Sequence, residues 1–208
     1  MKLFVTLEGP EGSGKTTVAQ LVYDYFKDLK QGVMLTREPG GIPISEKIRD
    51  IILDPENNTM DDRTEALLYA ASRRQHLTEK VLPALDRGEL VICDRFIDSS
   101  LAYQGFARGL GIDNVLEINR FAIDNHMPDL TLYLDVPFEV GMNRIGVRGY
   151  KDRLELAGDD FHYKVFQGYQ EVWARYPERI VRIDAQQSPE EVAQAVIREI
   201  EKKLNASL

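Results

Sequence analysis

Residues 3–17 read Leu-Phe-Val-Thr-Leu-Glu-Gly-Pro-Glu-Gly-Ser-Gly-Lys-Thr-Thr, and this stretch narrows the folds open to the chain more than any other. An apolar run rich in strand formers stops at Gly9, and a helical pattern begins near Lys15. Gly9, Gly14, Lys15 and Thr16 fill the spacing G-x-x-x-x-G-K-[ST], with Pro10, Glu11, Gly12 and Ser13 between the two glycines and Thr17 after them. Glycines let successive backbone N–H groups turn inward on an anion, and the following helix N-terminus adds its positive dipole end. Lys15 brings a full charge to the β- and γ-phosphates of a nucleotide, and the Thr16 hydroxyl is suited to Mg²⁺. A glycine-rich turn with an exposed lysine would share the letters. The strand-loop-helix context is what selects the nucleotide site.

The rest of the chain alternates in the same way. Strands are expected at Val33–Thr36, Leu90–Cys93, Leu130–Val136 and Ile180–Asp184, each followed by a helical pattern. Helices are expected from Thr17, Ile44, Asp61, Phe96, Asp113, Pro137 and Asp159, and after Ser188. The one from Asp61 runs to about Arg87, with Pro83 bending or breaking its last turns. Five strands alternating with helices give an α/β fold, a doubly wound five-stranded parallel sheet flanked by helices, with ligands at the carboxyl ends of the strands. At 208 residues, with no linker, repeat or low-complexity segment, one domain is expected.

Charge and composition remove several function classes. A net charge of −8 argues against a general nucleic-acid or anionic-membrane binder, so an anionic ligand needs locally concentrated arginines. No stretch approaches the length that spans a bilayer, and Met1-Lys2-Leu3 runs straight into the first strand without a signal peptide. A single cysteine, Cys93, within an apolar run fits a reducing compartment, and the cytoplasm is the expected location. His76, His126 and His162 have no spacing that suggests a metal site.

A phosphate-binding loop alone leaves motor, switch, transporter and kinase open. Beyond the cations that a nucleoside triphosphate needs, the chain offers Arg37, Arg49, Arg73 and Arg95. Arginine forks suit a bidentate grip on phosphate. Arg37 opens the breaker cluster Arg37-Glu38-Pro39-Gly40-Gly41 directly after a strand, where an open α/β sheet meets its ligand or where a polar turn would also sit. Tyr69 and Arg73 share a helix face, as do Ser100, Tyr103 and Gln104. Asp94 ends a buried strand, in a position to organise Mg²⁺ or simply to pair with Arg95 at the surface. Tyrosine rings to stack, arginines for phosphate, and amide and hydroxyl groups together describe a pocket for a nucleoside monophosphate. Residues 143–153 carry four cations against one anion, and Gly146 and Gly149 allow movement, so the segment reads as a mobile basic flap or a solvated loop. The guanine-reading signature N-K-x-D is absent.

Several of these motifs, in this order, resemble the bacterial thymidylate kinase family of P-loop nucleoside monophosphate kinases along nearly the whole chain. The matching stretches are Glu8 to Thr17, Arg37 to Gly41, Leu67 to Arg73, Asp94 to Gly105, and Ile183-Asp184-Ala185. The resemblance implies the reaction of ATP with dTMP to give ADP and dTDP, with Mg²⁺ held near Thr16 and Asp94, in a homodimer. It implies that Tyr69, where phenylalanine is common, stacks on thymine and that Arg73 and Gln104, helped by Ser100, read its polar edge. It further implies that Tyr103 crowds the 2′ position, that Glu11 holds the 3′-hydroxyl, and that Arg49 and Arg95 grip the acceptor phosphate. Arg37 and Glu38 belong to the same crevice, while Ala185, Gln186 and Gln187 pass the adenine with Arg144 on its face. Family members carry a transition-state arginine either in the phosphate loop or in the flap. Gly12 stands where the first type has arginine, so the flap near residues 144–156 is expected to supply it from Arg148 or Arg153. A kinase for another nucleotide or nucleoside, or a nucleotide-dependent switch, are the rival readings.

Overall fold

The computed structural model describes residues 2–29, 32–145 and 152–206. Its elements run β1 (Leu3–Glu8), α1 (Lys15–Asp28), β2 (Val33–Arg37), α2 (Pro43–Leu53), α3 (Asp62–His76), α4 (Leu82–Asp86), β3 (Leu90–Asp94) and α5 (Ile97–Ser100). They continue with α6 (Ile112–Ile123), β4 (Leu130–Asp135), α7 (Phe138–Ile145), α8 (Asp159–Arg175), β5 (Ile180–Asp184) and α9 (Pro189–Asn205). All five expected strands form, and they pair in parallel in the order β2-β3-β1-β4-β5.

That order sets the position of the site. The chain leaves β1 for the β2 edge, returns through β3, and only then crosses to β4 on the other side of β1. The crevice opens where the winding reverses, at the carboxyl ends of the central strands. Register brings Leu7 and Arg37 each opposite Asp94, so the segments following β1, β2 and β3 start side by side.

The sheet is buried on both faces, as continuous apolar strands require. Leu3, Val5 and Leu7 of β1 point with Leu90, Ile92, Leu132 and Leu134 into a core closed by α1 and α9. Phe4 points the other way with Val91, Cys93 and Tyr133, toward Phe96, Leu101 and Tyr169. By strand alternation, Thr6 and Glu8 share that second face. It therefore turns polar toward the carboxyl end of β1, where the site begins.

Two helices depart from simple periodicity. Pro83 does not break the helix that begins at Asp62; a π-helical turn at Leu77–Val81 lies just ahead of it, and α4 continues the path. Widening the turn removes the clash that a proline makes with an ordinary α-turn. The expected single helix after Phe96 is instead a short α-turn, α5, followed by a π-helical stretch at Leu101–Ala107. The helix expected to reach His126 stops at Ile123, where Asp124 and Asn125 take left-handed backbone (φ 48° and 64°).

Candidate active site

β1 delivers the loop, and α1 begins inside it at Lys15. The Lys15 ammonium folds back over its own loop, donating to the carbonyls of Gly9 (2.9 Å) and Pro10 (2.7 Å) and to Ser13 Oγ (3.0 Å). Burial, with the nearby Arg95 charge adding to it, pushes its pKa down to about 8. Gly12 has a φ of 75°, and a Cβ there would lie 2.1 Å from the Gly141 carbonyl oxygen of α7. The loop is thus seated directly against α7.

Thr16 Oγ1 donates to Asp94 Oδ2 at 2.7 Å, joining the first turn of α1 to the end of β3. Asp94 Oδ1 is buried with no hydrogen-bond partner among the described residues. A hydroxyl beside a carboxylate with an orphaned oxygen is a fitting donor set for a hard cation such as Mg²⁺ that keeps water and phosphate as its other ligands.

β3 passes directly into Arg95, whose backbone is left-handed (φ 69°). This conformation aims the guanidinium back across the loop. Its Nη1 donates to the Gly9 carbonyl (3.1 Å), Tyr169 Oη (3.1 Å) and Ser99 Oγ (3.3 Å), and its Nη2 pairs with Glu11. The guanidinium carbon lies 5.3 Å from the centroid of the Tyr103 ring. Behind it sits Glu8, buried, accepting from Phe96 N–H (2.7 Å), Ser99 (2.6 Å) and Tyr169 (3.2 Å). Burial and then the neighbouring Asp98 charge raise the Glu8 pKa to about 7.

Beyond Arg95 a pocket of about 630 Å³, counting its open mouth, lies between α2, α3 and the π-helical stretch. Of the expected acceptor-site residues, Glu11, Glu38, Arg49, Tyr69, Arg73, Arg95, Ser100, Tyr103 and Gln104 all line it. Tyr69 is half-buried, and burial raises the pKa of its hydroxyl. Arg49 donates to the Pro39 carbonyl (3.1 Å). Arg73 is almost wholly buried at the back, where Nε pairs with Glu38 (2.7 Å), Nη1 meets Ser100 (3.1 Å) and Asn119, and Nη2 donates to the Phe96 carbonyl (2.8 Å). Four of its five N–H groups are thereby used, which fixes the guanidinium and leaves one donor.

Three expectations need correction or qualification, and a fourth lies outside the described residues. Arg37 does not reach the pocket: its Nη2 is held by both oxygens of Glu46 (2.8 and 3.0 Å) and its Nη1 by the Pro39 carbonyl, in a separate groove beside α1. Glu38 does line the pocket, but one of its oxygens holds Arg73 and the other meets His76 Nδ1 (2.9 Å), so it also supports the arginine behind it. Arg153, expected as a flap arginine aimed at phosphate, is buried and spent on Glu65 and on the Ile52 carbonyl (2.7 Å). Arg148 lies outside the described residues. On the opposite side of the loop Arg144 bridges the carbonyls of Gly12 (3.3 Å) and Ala185 (3.2 Å), with Gln186 following.

The residues that sequence reasoning missed are mostly supports: Glu8, Ser99 and Tyr169 around Arg95, Glu65 beside Gln104, and His76 and Asn119 around Glu38 and Arg73. Glu65 alone left a usable signal, because it shares the helical face of Tyr69 and Arg73.

A phosphate-binding loop, a carboxylate at the adjoining strand end, and a second pocket reached across one arginine define a P-loop phosphotransferase of the nucleoside monophosphate kinase type. Comparison with known proteins carries this further. The thymidylate kinase family model matches residues 7–196. A thymidylate kinase from Clostridium novyi (strain NT) is 57% identical over 195 residues, covering 93% of this chain and 95% of that protein. One from Bacillus cereus (strain Q1) is 57% identical over 204 residues, covering 97% and 98%. The crystal structure of thymidylate kinase from Ehrlichia chaffeensis superposes with a TM-score of 0.78 at 31% identity, covering 96% of this chain and 98% of that one. The chain belongs to the thymidylate kinase family.

Proposed function

We propose that this chain transfers the terminal phosphoryl group of ATP to dTMP, giving ADP and dTDP. The observation that carries the reading is the position of Arg95, which touches the phosphate loop at Gly9 and Glu11 and faces the acceptor pocket over Tyr103. One guanidinium stands between the donor and acceptor phosphates.

No general base is required. A phosphate monoester is already largely anionic at neutral pH, so in-line transfer needs alignment and charge neutralisation. Lys15 and the loop amides take the donor phosphates, while Arg95 and Arg49 take the acceptor phosphate. Tyr69 stacks on the base, Tyr103 closes the space beside the sugar, Glu11 meets the 3′-hydroxyl, and Arg73, Ser100 and Gln104 face the base edge. Ala185, Gln186 and Arg144 flank the adenine. Mg²⁺ would be held through Thr16 and Asp94, where it supplies charge neutralisation for the transferred group. The reading has a single kinase domain, and with Arg153 engaged elsewhere it leaves Arg148 as the arginine candidate for the transferred phosphoryl.

The same reading has the protein working as a homodimer on small molecules in the cytoplasm, without nucleic acid. Among the described residues no helix is long and apolar enough to cross a membrane.

A coupled assay of ADP release over a panel of nucleoside monophosphates and nucleosides tests the assignment. ADP formation is expected to depend on dTMP; slow hydrolysis indifferent to the acceptor would replace the kinase with a switch. Arg95→Ala is expected to lower kcat by at least about a hundredfold, as for loss of a preorganised transition-state donor. ATP affinity should change little. Wild-type turnover in that variant would remove Arg95 from the mechanism.

A further inference from the structure

At the base end of the pocket the fully buried carboxylate of Glu65 gathers three side chains from two separate segments. Its Oε1 accepts from Gln104 Nε2 (2.8 Å) and Arg108 Nε (3.3 Å), and its Oε2 from Arg108 Nη2 (3.1 Å) and Arg153 Nη2. A carboxylate has about four lone-pair directions and no proton to give when ionised. All four are filled, and three of these bonds come from two arginines, a donor set that suits an acceptor-only group.

The consequence falls on Gln104, itself buried and lining the pocket. An amide side chain has one end that donates and one that accepts, and the two differ little in shape. Against an acceptor-only carboxylate only the NH₂ end fits, since the flipped amide would set oxygen against oxygen in a buried site. Gln104 Oε1 makes no hydrogen bond to any described residue, so the amide presents an acceptor to the pocket.

We propose that Glu65 is a specificity-determining positioning residue: by holding the Gln104 NH₂ group, it fixes Oε1 as an acceptor and selects pyrimidines that carry a proton on N3. Thymine and uracil have that proton; cytosine has a bare N3 that would face Oε1 lone pair to lone pair. A site built to satisfy one hydrogen bond rejects the base that cannot make it far better than shape alone would. The inference rests on the acceptor reading above, and it deepens that reading by assigning the source of base discrimination to a residue that touches no substrate.

The test compares kcat/KM for dTMP and dCMP. Glu65→Gln can offer its own NH₂ to the Gln104 carbonyl and so frees the amide to turn. The dTMP-over-dCMP ratio is expected to shrink at least about tenfold, the free-energy scale of one misdirected hydrogen bond. In a Gln104→Met background the same Glu65 substitution should leave the ratio where Gln104→Met alone puts it, because the coupling runs through that amide. An unchanged ratio in Glu65→Gln, with both substrates slowed alike, would show a structural role only and overturn the proposal. Should that variant not fold, the side-chain amide signals of Gln104 in the wild-type protein decide the matter. Protection of Nε2–H from solvent exchange, unaltered on saturation with dTMP, supports it; loss of protection as dTMP binds refutes it. A wild-type chain inactive on dTMP would sink the functional reading separately, because the free protein's amide signals would still report whether Glu65 holds Gln104.

Discussion

Lys15 spends the free state as a lid on its own loop, with its ammonium bonded to two carbonyls and a serine hydroxyl that a polyphosphate would displace. Burial and Arg95 lower its pKa from 10.5 to about 8. For a base this shift means that between about pH 8 and 10.5 the free folded chain binds fewer protons than the unfolded one, so the Lys15 contribution to stability improves as pH rises through that window. Nucleotide binding acts in the opposite direction, because the phosphates favour the charged ammonium. Titration calorimetry in buffers of different ionisation enthalpy should show close to one proton taken up per ATP at a pH about one unit above the cited value of about 8, and little uptake one unit below it. ATP affinity should accordingly fall as pH rises through about 8. Lys15→Met should abolish the uptake and weaken binding; uptake that survives the substitution would place the titrating group elsewhere.

The phosphate loop and α7 meet through two glycines, Gly12 and Gly141, whose backbones approach too closely for a side chain on the first. Gly12→Arg places a left-handed backbone on an L-residue, at about 1–2 kcal/mol, and drives Cβ into the Gly141 carbonyl. We expect a lower Tm and a drop in kcat/KM of more than about tenfold, from displacement of a helix packed against the loop. A variant as active as the wild type would show that α7 yields freely. The glycine spacing was legible in the sequence, but this close approach was not, because Gly12 and Gly141 lie far apart along the chain. The same limit governs other features. Apolar runs such as Leu90–Cys93 mark their strands because a parallel sheet buries both faces. The π-helical turns at Leu77–Val81 and Leu101–Ala107 leave no such trace, since one extra residue per turn does not disturb a local apolar pattern. Arg37 reads as a phosphate ligand from its charge and its place after a strand, and Arg153 from the resemblance to the family. Only the folded chain reveals that Glu46 and Glu65 claim them, the latter across 88 positions.

The pocket beyond Arg95 is built on α3, which carries Tyr69 and Arg73 inward and packs along α6. Each of these two helices leaves one large apolar side chain bare, Leu67 at 56% exposure and Phe121 at 92%. A phenylalanine so exposed in the last turn of an ordered helix contributes nothing to the monomer's core. Burying it against a second copy would contribute about 2–3 kcal/mol, and a two-fold axis counts the gain twice. The overall charge of −8 opposes self-association in general, so a dimer needs an apolar contact of this kind. Phe121→Asp removes the ring and brings two like charges together at the axis. Light scattering should report a dimer for the wild type, as the proposed homodimer requires, and a monomer for the variant. Because α3 forms both the pocket wall and the α6 contact, losing the dimer should raise KM for dTMP more than KM for ATP, whose loop rests on β1 and α1. A Phe121→Asp chain that stays dimeric, or that becomes monomeric with both KM values unchanged, would separate the interface from the pocket and leave α3 supported by its own domain alone.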